Sequence, residues 1–217
     1  MLSNTYNLDL SNIVACELRG APLYEFLVAT ILSQNTTDLN AWKAYVNLKS
    51  KFGVITPEKI STASTDEIAS LIKVSGMHRE RAIKIKELAR TFLEIDVEKI
   101  MLNYIKGGDV EGAREELLKL PGIGYKSADI TLLMYYEVPV FPVDTHIARI
   151  TLRLGYVKNL NYNDIRNFWM ENTNPKYYLP LHLLLIIHGR NTCKSRKPMC
   201  SKCNIGGQCS FSKGKSI

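Results

Sequence analysis

Along most of the chain, apolar residues recur every three or four positions, the spacing of a helix with one buried face. The pattern predicts helices over PLYEFLVATILSQ, TDLNAWKAYVNLKSKFG, TDEIASLIKVSG, HRERAIKIKELARTFLEI and REELLKL. It continues with KSADITLLMYY, DTHIARITLRLG, YNDIRNFWMEN and YLPLHLLLIIHG. The second of these opens at Asp38 and stops at Gly53, a residue suited to ending a helix. Short Gly, Pro, Asn and Ser clusters separate the segments, and residues 100–112, IMLNYIKGGDVEG, read as a glycine-rich surface loop. Strand-type alternation is almost missing, so the expected fold is all-α.

At 217 residues the chain can bury a substantial core, in one large domain or two interleaved ones. The longest apolar run, LPLHLLLII, is about half of a membrane-spanning helix and carries a histidine. MLSNTYNLDLSN has no basic stretch leading into an apolar core, so no secretory signal is expected. A cytoplasmic, nucleoid-associated protein without a membrane partner is the expectation.

One stretch of chemistry stands out within this helical pattern. LPGIGYKSAD places Pro121, Gly122, Ile123 and Gly124 between two helices, a helix-hairpin-helix, and puts Lys126 at the start of the second. Glycines let successive N–H groups approach a ligand, and a helix N-terminus adds positive dipole, so Gly122 and Gly124 suit a phosphate. That mode reads the nucleic-acid backbone and not its sequence. A plain connection between two helices is the alternative. The same dipole disfavours a charged lysine at position 126, so either the placement is incidental or the amine is wanted neutral.

Asp144 follows Lys126 by eighteen residues. A helix from about Lys126 to Tyr136 would travel roughly 15 Å. The extended Glu137–Val143 can cover up to about 23 Å, enough to bring Asp144 back beside the lysine. Asp144 before Thr-His-Ile-Ala is also a good helix cap, and the two roles are compatible. A lysine held neutral by dipole and burial is a nucleophile. A carboxylate beside it can take its proton and steady a developing sugar cation. The pair suits attack on an anomeric carbon followed by Schiff-base chemistry.

Charge and cysteines add a second constellation. From residue 190 onward there are seven basic and no acidic side chains, while the rest of the chain balances at 21 of each. Such a tail is either a phosphate-binding surface or a solvated end. Cys193, Cys200, Cys203 and Cys209 form C-x6-C-x2-C-x5-C within it. In a chain with no secretion signal that spacing reads as a metal site, either zinc or a four-cysteine iron–sulfur cluster. Lys194, Arg196 and Lys197 fill the loop after the first ligand, so a metal would fold a basic finger. Cys16 stands apart and reads as a small buried apolar residue. His182 and His188, six apart on an apolar helix, read as core or cluster-packing residues.

Taken in order and spacing, LPGIGYKSADI, VDTHIAR, LHLLLIIHGRNTC and the cysteine tail resemble the helix-hairpin-helix (HhH-GPD) DNA glycosylases, and among them the endonuclease III subfamily, over nearly the whole chain. The resemblance implies a six-helix barrel over residues 19–137 carrying the helix-hairpin-helix. It implies a second helical domain from residues 1–18 and 138–217, with a [4Fe–4S] cluster on the four cysteines. Double-stranded DNA containing a damaged base or abasic site would bind in the cleft between them, to a monomer. The implied activity is a base-excision glycosylase with an abasic-site lyase step, acting on damaged, chiefly oxidised, pyrimidines. Lys126 takes the place of the family's nucleophile and Asp144 that of its carboxylate.

Excising a base requires extruding its nucleotide, and some side chain must fill the gap. ILSQNTTD resembles the family's loop with a polar gap-filling side chain, which puts Gln34 and Asn35 forward. VSGMHRERA resembles the loop with an apolar wedge, which puts Met77 forward. Helix termini and a core plug are the plain alternatives. SQNT departs from the usual subfamily pattern, and Tyr125 and Asp129 stand where Arg and Asn are frequent, which leaves base preference open. His146 follows Asp144 as in the family and is either near the site or structural. A mismatch or oxidised-purine glycosylase on the same fold, or a non-catalytic iron–sulfur DNA-binding module, are the alternative functions.

Overall fold

The structure, a computed structural model, describes residues 2–6 and 17–214. Every regular element among them is helical. Cys16 and most of the N-terminal segment expected in the second domain lie outside the described residues. The described residues fall into two compact units, one within Leu10–Val138 and the other within Met1–Asp9 and Pro139–Ile217.

The first unit is built around α1, Leu23–Ser33, whose residues from Leu23 to Leu32 are all buried. An all-round apolar helix has nowhere to go except the centre of a helical layer. Around it stand α2, Asp38–Phe52, and α5, His78–Glu94, with α3, Pro57–Thr62, and α4, Thr65–Leu71, packed on α5. One acid enters this core: Glu25 accepts from Tyr45 Oη and Lys49 Nζ, both at 2.5 Å, and from the Ile55 amide at 3.2 Å. Those three donors stand in for the water the carboxylate has lost.

The stretch read as a glycine-rich loop is instead mostly helix. Helix α6 runs Val97–Gly107 and α7 runs Val110–Lys119, leaving only Gly108 and Asp109 between them. Gly108 sits at φ 73°, the left-handed turn that lets the first helix stop at once, and Asp109 caps the second. Two adjacent glycines suggest a long connection, but here one ends a helix. A similar shift occurs at α2, where Thr37 is the capping residue and Asp38 the first helical one.

The second unit packs α9, Thr145–Leu154, against α11, Tyr178–Asn191, with α10, Tyr162–Asn172, alongside α9. Close crossing of α9 and α11 needs Gly189: a Cβ there would sit 2.6 Å from the Cβ of His146. The extended segment entering α9 is anchored by Phe141, fully buried and stacked on Trp169 with ring centroids 5.5 Å apart. His182 fixes the same segment, its Nδ1 lying 2.9 Å from the Pro142 carbonyl. It is a core residue. No helix among the described residues is long and apolar enough to cross a membrane.

Candidate functional site

The hairpin forms where LPGIG predicts it. Helix α7 ends at Lys119, Ile123 is buried with its amide on the Leu120 carbonyl at 3.1 Å, and α8, Tyr125–Ile130, follows. Gly122 has φ +81°, and a Cβ there would meet Ile31 Cδ1 at 3.0 Å and Lys84 Cβ at 3.2 Å. Both conformation and space therefore require glycine. Gly124 differs, because nothing lies within 4 Å of an added Cβ and its φ is −103°. With no side chain of its own to cap α8, it leaves the first N–H groups of that helix open to an outside acceptor. Helix α8, Tyr125–Ile130, continues as a π-helical turn over Thr131–Tyr135.

Lys126 is the second residue of α8 and is exposed, which corrects the expected burial. The face of α8 that turns inward is Ser127, Ala128, Asp129 and Ile130, so the lysine is left in solvent. What this unit supplies at position 126 is the positive end of a helix next to an uncapped turn. Asp129 is fully buried and accepts from Arg114 Nε at 2.8 Å, and the Arg114 guanidinium lies 5.1 Å from the Tyr125 ring centroid. The acid is committed to bracing the hairpin; Tyr125 is the exposed member of the set.

Gln34, Asn35 and Met77 belong to the same unit. Gln34 Nε2 donates to the Gly122 carbonyl at 2.8 Å and to Ser127 Oγ at 3.2 Å, tying the end of α1 to the hairpin. Its side chain is thereby engaged, whereas Asn35 is exposed. Met77 is exposed by 54%, which removes the core-plug alternative. Asn35 and Met77 have φ of 50° and 47°, and Lys197 has 52°. Among the described residues four non-glycines hold a positive φ, and these three are all candidates for touching DNA. Left-handed backbone at a methionine costs about 1–2 kcal/mol and tends to persist where function requires it.

Sequence patterning alone does not single out Arg81. Its buried guanidinium donates to the carbonyls of Gly76, Ile31, Leu32 and Gln34. A signal does exist: on α5 the buried stripe is Arg81, Ala82, Ile85, Leu88 and Ala89, and a cation in an apolar stripe asks for a partner.

In the second unit, Asp144 is half-buried and caps α9, accepting from the Ile147 amide at 2.8 Å. Beside it, burial pushes His146 below the usual histidine range, with Arg149 and Arg190 adding to the effect and Asp144 opposing it. His146 packs on Gly189 and lies 3.0 Å from an Arg149 nitrogen, a structural setting for a neutral ring.

Cys193, Cys200, Cys203 and Cys209 all line one pocket, with Ile150, Leu154, Met199, Ile205 and Phe211 among its walls. Among the described residues no three His, Cys, Asp or Glu side chains converge as a single-ion site. Burial pushes the Cys203 thiol up, the other three sulfurs add to the effect, and a hydrogen bond from the Ile205 main chain opposes it. His188 touches the set, Nε2 lying 3.7 Å from Cys203 Sγ, as a packing residue. Arg149 and Arg153, one turn apart on α9, hold the loop: Arg149 donates to the Cys193 carbonyl at 2.8 Å, and Arg153 to the Lys194 carbonyl at 2.7 Å and Cys193 Sγ at 3.3 Å. The turn closes with the Met199 amide on the Thr192 carbonyl at 3.0 Å. Lys194, Arg196 and Lys197 ride exposed on this ordered turn.

The chain also matches proteins already known. The family model described as HhH-GPD superfamily base excision DNA repair protein matches residues 28–175. Endonuclease III of Sulfolobus acidocaldarius is 36% identical over 97% of this chain and 92% of its own length. Endonuclease III of Thermotoga maritima is 36% identical over 87% of this chain and 83% of its own. Among solved structures, a trapped endonuclease III–DNA covalent intermediate superposes with a TM-score of 0.79 at 25% identity, covering 98% of this chain and 92% of that one.

Proposed function

Since the chain belongs to the HhH-GPD superfamily of base excision DNA repair proteins, we propose that Lys126 and Asp144 carry its reaction and that its substrates are damaged pyrimidines in duplex DNA. The protein is a base-excision DNA glycosylase with an abasic-site lyase activity. A single observation carries the assignment of Lys126: it is the second residue of the helix that leaves the glycine turn, exposed where a nucleotide can reach it.

The chemistry follows from an amine and a sugar. The unprotonated Lys126 Nζ attacks C1′ of the damaged nucleotide, and the bond to the base breaks with its electron pair leaving on the base. The nitrogen loses a proton, the sugar ring opens, and an imine joins Lys126 to C1′. The imine acidifies C2′, so loss of a proton there expels the 3′ phosphate and cuts the strand. Water then hydrolyses the imine and restores the amine. The Asp144 carboxylate would accept a proton or offset positive charge on the sugar as the base departs.

Binding is divided between unspecific and specific parts. Main-chain donors at Gly122 and Gly124, with Lys194, Arg196 and Lys197, would take phosphates. Asn35 and Met77 would enter the stack beside the extruded nucleotide, with Gln34 fixing the Asn35 loop to the hairpin. Cys193, Cys200, Cys203 and Cys209 would hold a [4Fe–4S] cluster; four sulfurs with apolar walls suit it, and it would order the basic turn. When bound, such a cluster supplies a one-electron couple and a fixed loop shape.

Single-turnover assays on duplexes with one 5,6-dihydroxy-5,6-dihydrothymine, one 8-oxoguanine or one G·T mismatch test the substrate class. Base release followed by strand cleavage is expected on the first and at least about 100-fold slower on the others, the size of a pocket's discrimination between unlike bases. Preference for the purine or the mismatch would contradict the pyrimidine assignment.

A further inference from the structure

Arg81 is 4% exposed on a helix face otherwise made of alanine, isoleucine and leucine. A guanidinium so placed is stabilised only if its donors are engaged, and all of those engaged here point at main chain. Nε donates to the Gly76 carbonyl at 2.8 Å, NH1 to the carbonyls of Ile31 and Leu32, and NH2 to the carbonyl of Gln34. Two of these acceptors matter more than the rest. The Gly76 carbonyl belongs to the peptide leading into Met77, and the Gln34 carbonyl to the peptide leading into Asn35. Both of those residues have left-handed backbone. One planar fork thus grips the peptide ahead of each, from chain segments more than forty residues apart. The Gln34 side chain carries the link onward, through its hydrogen bonds to the Gly122 carbonyl and Ser127 Oγ, to the turn that bears Lys126.

We infer that Arg81 is a positioning residue for base extrusion: it fixes the separation and tilt of the Asn35 and Met77 loops, and their registration to the hairpin, so that both side chains enter the stack as one unit. This rests on the proposed entry of those loops into DNA. The wedge is a pair on two separate loops, and each loop is individually held in a conformation that most residues avoid. A rigid cross-tie between them removes the need to order both loops during extrusion. A lysine could keep the charge, but its single nitrogen cannot reproduce a fork that meets four carbonyls.

Base extrusion is the step that should register the loss. The test compares wild type, Arg81→Lys and Arg81→Gln on two probes: a duplex with one 5,6-dihydroxy-5,6-dihydrothymine and the same duplex with a preformed abasic site. The abasic probe has no base to unstack. Base release by Arg81→Lys is expected to slow by about tenfold or more, since misplacing contacts by about 1 Å costs up to about 10²-fold. Cleavage of the abasic duplex is expected to slow by less than about threefold, and affinity for undamaged duplex to stay unchanged. A 2-aminopurine placed beside the lesion should report slower unstacking in the variant by the same factor as base release. Equal slowing on both probes, or no slowing on either, overturns the inference. So does failure of both variants to fold, because Arg81 would then serve the fold alone. Wild type that acts on neither probe would sink the proposed function itself and this inference with it.

Discussion

Met77 shows most plainly how a residue can work against the fold it belongs to. It sits at φ 47° with 54% of its surface exposed, so it gives little to the core and holds a backbone state that disfavours its side chain. Glycine would occupy that state freely, although it also loosens the unfolded chain. Met77→Gly is therefore expected to hold the melting temperature or raise stability by up to about 1 kcal/mol. Base release should nevertheless fall by about tenfold or more through loss of the wedge. Calorimetry and single-turnover release on one preparation check both halves; a destabilised variant of normal activity would show Met77 to be a packing residue. Asn35 holds the same conformation at smaller cost, because its short polar side chain tolerates it.

At the scale of elements, the hairpin separates two glycines that look alike in LPGIG. Gly122→Ala forces a Cβ at φ +81° into Ile31 and Lys84, and should destabilise the protein by about 1–2 kcal/mol while weakening DNA binding. Gly124→Ala has open space and an ordinary φ, so its melting temperature should not move. Any loss of DNA affinity in Gly124→Ala then reports close approach of a phosphate to that turn. Unchanged affinity would mean the hairpin merely connects two helices. Titrating both variants with undamaged duplex and following their thermal unfolding decides the matter.

The helices, the hairpin turn and the capping aspartate are legible in the sequence because each rests on local rules: apolar spacing, glycine before a helix, Asp144 ahead of an amide at the right distance. Sequence misleads where one local signal serves another purpose. Gly107 and Gly108 look like a loop but close a helix in a single turn. Burial and dipole act alike on an amine, which points to a buried Lys126, yet the inward face of α8 belongs to its neighbours. Arg81 is not legible as chemistry, because its partners are main-chain carbonyls that carry no side-chain identity and come from two distant segments. Nothing in a residue alphabet marks a carbonyl that needs a donor.

Across the whole molecule, the excess charge and four of the five cysteines fall in the same stretch of chain. Lys194, Arg196 and Lys197 lie exposed on a turn held by hydrogen bonds from Arg149 and Arg153, so the positive charge is displayed on an ordered element. Protein purified without air should be brown, with about four irons per chain if the cluster is [4Fe–4S]. Replacing all three cations with glutamate should leave that colour intact. It should weaken binding to every duplex and flatten its salt dependence by about one unit of slope for each phosphate no longer neutralised. An unchanged slope would mean that the turn faces solvent in the complex.

Covalent capture by Lys126 is the claim on which the rest depends, and an imine can be made permanent by reduction. Wild type and Lys126→Gln are mixed with a duplex carrying one 5,6-dihydroxy-5,6-dihydrothymine in the presence of borohydride, and the products are separated under denaturing conditions and mapped by mass. Wild type is predicted to carry the sugar on Lys126, as a secondary amine, in proportion to base released. Lys126→Gln should bind the same duplex and yield no adduct and no cut. An adduct that persists in Lys126→Gln, or that maps to another residue of the wild type, would contradict the account.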